Sequence, residues 1–144
     1  MKPARLSGVV RLLIVAPLIV LIPLMVIAGL RGTWGIERIT GLLLSLVGLA
    51  GLTVARINLG DSFSIAPEAR KLVTHGVYSR IRHPVYVFGV LLIAGMALYL
   101  PLPYVFLLLV AVVPMQIIRA REENRLLEQT FGDEYRSYRR KTWF

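Results

Sequence analysis

The sequence predicts an all-α protein: a polytopic membrane bundle of four transmembrane helices, with a C-terminal helical hairpin and a cytoplasmic helical tail. Three observations point there. Of the 144 residues, 56% are hydrophobic, against about 45–50% in an ordinary soluble domain. These residues gather into four blocks nearly free of charge, as a bilayer demands. The 17 basic residues, which set a net charge of +9, are unevenly shared among the segments between the blocks. Little chain is left over for a second unit, so residues 1–144 read as a single domain.

The first block, Leu12 to Leu30, carries no charge and is about long enough for a ~30 Å hydrocarbon layer. Its lead of Lys2, Arg5 and Arg11 resembles the start of a signal peptide. The block is longer than a signal core, however, and no convincing small-residue cleavage site follows it. It reads as a retained span, bent at Pro17 and Pro23, which neighbouring helices can tolerate. The second block, Ile39 to Ala55, carries small residues at Gly41, Ser45, Gly48, Gly51 and Ala55. That stripe predicts a helix packed closely inside the bundle.

The third and fourth blocks, Val85–Leu100 and Pro103–Ile118, are separated only by Pro101 and Leu102. So short a connection predicts an antiparallel hairpin with its tip at the far membrane surface. Tyr99 and Tyr104 flank the tip, where amphipathic rings favour the interface. Pro114 is expected to kink the fourth helix.

Four spans place both ends on one side. Fifteen basic residues fall before the first block, between the second and third, and after the fourth, against only Arg31 and Arg38 elsewhere. By the positive-inside rule both termini are cytoplasmic, in the plasma membrane if the cell is prokaryotic. The same distribution accounts for the +9 and removes the main support for a nucleic-acid partner. The absence of cysteine excludes disulfides, thiolate metal sites and a cysteine nucleophile. Two histidines, His75 and His83, are too few for a persuasive metal site.

Any chemistry must come from the two sizeable polar segments, the loop 56–83 and the tail 119–144. Gly76 permits a turn in the loop, and Pro84 suits the first turn of the third helix. Arg80, Arg82 and His83 are thereby held at the mouth of a membrane helix, where fixed donors suit an anion. Simple anchoring of the span explains the arginines equally well. In the tail, the fourth helix should run on past the membrane, since Ala, Arg, Glu, Leu and Gln favour helix. Gly132 reads as its stop and Asp133 as the cap of another short helix. Glu122 and Glu123 diverge by about 100° and cannot both face one partner. An exposed helix with ordinary ion pairs such as Arg119 with Glu123 remains the plainer reading of that pair.

Taken in order, these pieces resemble the isoprenylcysteine carboxyl methyltransferase and related phospholipid methyltransferase family of integral membrane enzymes. The matching residues are Leu72-Val73-Thr74, Gly76 and Tyr78, then Arg82-His83-Pro84 and Tyr86, a helical hairpin, Glu122-Glu123, and Phe131-Gly132-Asp133-Glu134-Tyr135 with Tyr138. They cover roughly Leu59 to Lys141. The resemblance implies an S-adenosylmethionine-dependent methyltransferase. Its cofactor would sit at the cytoplasmic face, capped by the tail, and a lipid-like isoprenoid or phospholipid acceptor would enter between helices. Arg82 and His83, positioned by Pro84, would then supply donors, and Glu122 or Glu123 would supply acceptors. Tyr78, Tyr86, Tyr135 and Tyr138 would close on the adenosine. No catalytic side chain is assigned, because methyl transfer can gain most of its acceleration from positioning. Two alternatives stay open: a non-catalytic membrane scaffold of the same fold, and a membrane NADPH-dependent reductase.

The charge distribution makes the topology testable. Reporter fusions after Leu30 and Leu102 are expected outside, and those after Ile57 and Phe144 inside. A cytoplasmic location for Leu102 would end the four-span arrangement.

Overall fold

The structure, a computed structural model, describes residues 8–59, 72–100 and 103–143. The described residues form four helices: α1 (Gly8–Arg31), α2 (Ile36–Leu59), α3 (Pro84–Tyr99) and α4 (Pro103–Lys141). A short 3-10 turn, Gly76–Ser79, precedes α3. The expected hairpin tip at Pro101 and Leu102, the loop 60–71 and the residues before Gly8 lie outside the described residues. Two helices, α2 and α4, are long and apolar enough to cross a membrane. At 16 residues, α3 is about 24 Å long, shorter than a full hydrocarbon layer.

Helices α1 and α2 outrun the expected blocks, α2 by continuing from Ala55 to Leu59, and α4 runs on past Ile118 as expected. Loss of apolar character marks the edge of a hydrocarbon layer, whereas a helix ends only where its backbone hydrogen bonds end.

Among the described elements, α2 and α3 make the tightest contact. Gly41, Ser45, Gly48, Leu52 and Ala55 are the buried residues of α2, so the stripe of small residues is its packing face. A Cβ added at Gly41 would lie 2.5 Å from the backbone N of Tyr99, and one at Gly48 2.5 Å from that of Leu92. From the other side, a Cβ at Gly95 would lie 2.4 Å from the backbone N of Ser45. No side chain fits at these distances, and the two backbones touch directly. The pairing of Gly41 with Tyr99 and Gly48 with Leu92 makes the two helices antiparallel.

By comparison, among the described residues α4 rests loosely on α3 and α1 makes few contacts with α2. Large apolar side chains of α4, among them Leu107 and Val110, are left exposed, as a lipid-facing surface requires. Pro114 lies inside α4, but the departure from helical φ/ψ falls at Gly132, with φ 48° and ψ −118°. This left-handed value favours glycine. It breaks the helix at the expected residue and turns the segment after it back toward α3.

Tyr99, beside the expected hairpin tip, is enclosed by the protein. It is 3% exposed, and its hydroxyl donates to the backbone O of Met25 at 2.6 Å. The Arg38 guanidinium lies 5.5 Å from its ring centre, and Trp34 packs edge-on against it. Arg38 and Trp34 in turn donate to Ala28 O and Gly29 O, carbonyls of the last turn of α1 that have no partner within the helix. Tyr99 therefore serves as a tie between α1 and α3, while Tyr104 is exposed.

Replacing Gly48 by Leu should lower the thermal midpoint of the purified protein, since forcing atoms into a packed contact costs about 1–3 kcal/mol or more. Gly35→Ala is the control, because nothing lies within 4 Å of the added Cβ, and its midpoint should match the parent. Equal midpoints for both variants would contradict the close α2–α3 approach.

Candidate functional site at the α3–α4 junction

The site is assembled where the N-terminus of α3 meets α4 and the segment beyond Gly132. Gly76 opens the approach with φ 62°, and a Cβ there would lie 2.2 Å from Asn58 Nδ2. His83 then caps α3 and Pro84 is its first residue. Pro84 has no N–H to leave unsatisfied. His83 makes no side-chain capping bond; its ring is turned across to α4 instead.

Two neighbours on α4 hold that ring. His83 Nε2 lies 2.8 Å from Asn124 Oδ1, and Nδ1 lies 3.4 Å from Glu123 Oε2. Tyr86, one turn into α3, stacks on the imidazole with ring centres 5.5 Å apart and donates its hydroxyl to Glu123 Oε2 at 3.2 Å. Asn124 Oδ1 also accepts the Tyr135 hydroxyl. The imidazole is thus buried and oriented from both sides, while the Glu123 carboxylate stays 39% exposed. Glu122 is exposed and points away, as the divergence around a helix requires.

The residues after Gly132 are fastened over this junction. Tyr138 donates to Tyr78 O at 2.7 Å, Trp143 N donates to Arg80 O at 3.1 Å, and Arg82 N donates to Trp143 O at 3.4 Å. Ile81 and Trp143 form an isolated parallel bridge. Burial, and then the charge of Glu123, push the Tyr78 phenol well above its ordinary value. Burial and then Tyr135 push Tyr138 up to about 12. At neutral pH both stay protonated, so Tyr138 keeps its donor. Tyr135 is fully buried. Burial raises its pKa, and the Arg82 guanidinium beside it pulls the other way.

Arg82 itself is part-buried. Its Nη2 reaches Thr142 O at 3.5 Å, and its Nε is buried with no hydrogen-bond partner among the described residues. The structure therefore brings together Tyr78, Arg82, His83, Pro84, Tyr86, Glu123, Tyr135 and Tyr138, and leaves Glu122 outside. Sequence reasoning missed Asn124, Thr142 and Trp143. Asn124 follows the Glu pair directly, and with Ala120 and Leu127 it continues a stripe at helical spacing; an amide on that stripe was the available signal.

The sequence profile of the phospholipid methyltransferase family matches residues 33–134. The chain belongs to that family. No curated protein and no solved structure matches it. The phospholipid methyltransferase match runs from just before α2 to just past the break at Gly132, taking in His83, Glu123 and Asn124. It makes the chain a member of a family of membrane methyltransferases, consistent with the two membrane-length helices. Helix α1 and the residues from Tyr135 onward lie outside the match.

Asn124→Leu should leave His83 and Tyr135 without their shared acceptor, and an unsatisfied buried polar group costs about 1–3 kcal/mol. The thermal midpoint should fall clearly, whereas Glu122→Ala should stay within about 0.5 kcal/mol of the parent. Indistinguishable midpoints would contradict the junction as described.

Proposed function

We propose that the chain is an S-adenosylmethionine-dependent methyltransferase whose cofactor is held at the α3–α4 junction, and whose acceptor is a carboxylate or amine of a lipid-like molecule. The observation that carries this reading is the pair of unequal polar groups at one site. Among the described residues the buried Nε of Arg82 lacks a hydrogen-bond partner, and the Glu123 carboxylate, held by His83 and Tyr86, stays 39% exposed. S-adenosylmethionine carries a carboxylate, an ammonium and a ribose diol, so it suits a site offering both a cationic donor and an anionic acceptor. The residues present fit that group.

When bound, S-adenosylmethionine supplies an electrophilic methyl carbon. Arg82 would bind the carboxylate end through its planar fork. Glu123 would accept from the ammonium or the ribose hydroxyls, with His83 and Tyr86 fixing its carboxylate. Tyr78, Tyr135 and Tyr138 have ring edges or hydroxyls committed to the fold, and their part would be to close the site and exclude water rather than to react. In this reading α1 and α3 join α2 and α4 as spans, and both termini with the junction face the cytoplasm.

The test is transfer of labelled methyl from S-adenosylmethionine into lipid extracted from membranes containing the protein. Arg82→Lys keeps the charge that orients a span but loses the paired geometry, so transfer should fall while expression and insertion hold. His83→Gln keeps a donor and removes the ring held by Glu123 and Asn124, and transfer should fall again. Full transfer by both variants would move the site elsewhere on the cytoplasmic face.

A further inference from the structure

One polar group inside the membrane has no role in the site described so far. Gln116 lies in the long charge-free stretch of α4, and its side-chain Oε1 is buried without a hydrogen-bond partner among the described residues. It faces α3: a Cβ built on Gly89 would lie 3.6 Å from Gln116 Nε2. Gln116 lies two residues inside the expected end of the span at Ile118, the depth of a lipid's linkage region, and an enclosed polar group left uncompensated there costs free energy and marks function more often than structure.

Its position connects it to the junction. Gln116 precedes Glu123 by seven residues, two turns, so it lies on the same face of α4 and about 10 Å deeper. Gly89 follows Tyr86 by one turn of α3. The contact of Tyr86 with Glu123 and that of Gly89 with Gln116 therefore lie on one seam between the two helices. Between them stands Ala120, which like Gly89 is small and leaves little bulk in the seam. The seam is also much looser than that between α2 and α3.

We propose that Gln116 is a specificity-determining residue for the lipid acceptor, hydrogen-bonding a hydroxyl or amide N–H in the lipid's linkage region, about two helical turns from the atom that reacts. This rests on the methyltransferase reading only for what happens at the top of the seam. The seam takes a lipid whose polar head lies at its top, beside the cofactor held by Glu123, and whose apolar chain continues into the bilayer past Gln116. A lipid lacking a donor at that depth leaves the amide oxygen unsatisfied, and the difference selects among acceptors.

The experiment uses the full chain in phosphatidylcholine nanodiscs, doped with increasing lysophosphatidylethanolamine, which keeps a free glycerol hydroxyl, or with diacyl phosphatidylethanolamine, which has none. The thermal midpoint reads lipid binding without any cofactor. The lysolipid should raise the parent's midpoint, and the diacyl lipid should raise it less. Gln116→Leu should start at or above the parent in undoped discs, because an orphan amide has been replaced by an apolar group of similar size. Its apparent affinity for the lysolipid should be about two- to tenfold weaker, while its affinity for S-adenosylhomocysteine equals the parent's. A lower starting midpoint for Gln116→Leu, equal lysolipid affinity in parent and variant, or equal response of the parent to both lipids would each overturn the proposal. Failure of the parent to bind S-adenosylhomocysteine would instead count against the methyltransferase reading, since the lipid measurements do not use the cofactor.

Discussion

Direct contact between the backbones of α2 and α3 is the constraint on which the rest of the molecule depends. With added Cβ atoms at Gly41, Gly48 and Gly95 landing 2.4–2.5 Å from the opposing backbone, only glycine permits the approach. A membrane offers no hydrophobic drive between helices, so close packing of small residues is what holds such a pair. The seam fixes the register of α3 against α2. Because Pro84 is the first helical residue, it also fixes His83 just ahead of it.

From that point the site follows by reach. An imidazole pinned between Glu123 and Asn124 joins the start of α3 to a part of α4 about 40 residues later in the chain. The left-handed residue at Gly132 then turns the chain so that Tyr135 meets Asn124 and Tyr138 meets Tyr78. Three stretches distant in sequence converge on one histidine. Most of their polar atoms are satisfied within the protein, as burial requires. Among the described residues, Arg82 Nε and Gln116 Oε1 are exceptions along the α3–α4 side, and Gln116 lies two turns below Glu123, where a molecule with a polar head and an apolar chain would run.

Much of the fold was legible in the sequence because its determinants are local. The small-residue stripe of α2, the proline that starts α3 and the glycine that breaks α4 each act through the backbone at their own position. The set of site residues was legible as an ordered pattern, but their roles were not. Nothing local distinguishes Glu122 from Glu123 until the rotation of α4 about its axis is known, and that rotation is set by packing on α3. Asn124 was overlooked for the same reason: an amide on a helix looks exposed until the face it shares with Ala120 is seen to be covered. Tyr99 was expected at the interface because tyrosines near helix ends usually are. The backbone oxygen of Met25, 74 residues earlier, is a partner no local pattern reveals.

Calorimetric titration of the detergent-purified protein with S-adenosylhomocysteine tests the central claim most directly, with Glu123→Ala and Glu122→Ala alongside the parent and NADPH as the competing ligand. The account predicts that the parent binds S-adenosylhomocysteine and not NADPH. It also predicts that Glu122→Ala binds like the parent and that Glu123→Ala loses roughly 10–150-fold in affinity, the worth of one charge-assisted hydrogen bond. Binding of NADPH in place of S-adenosylhomocysteine, or parent-like affinity in Glu123→Ala, would contradict a methyl-donor site built on the α3–α4 junction.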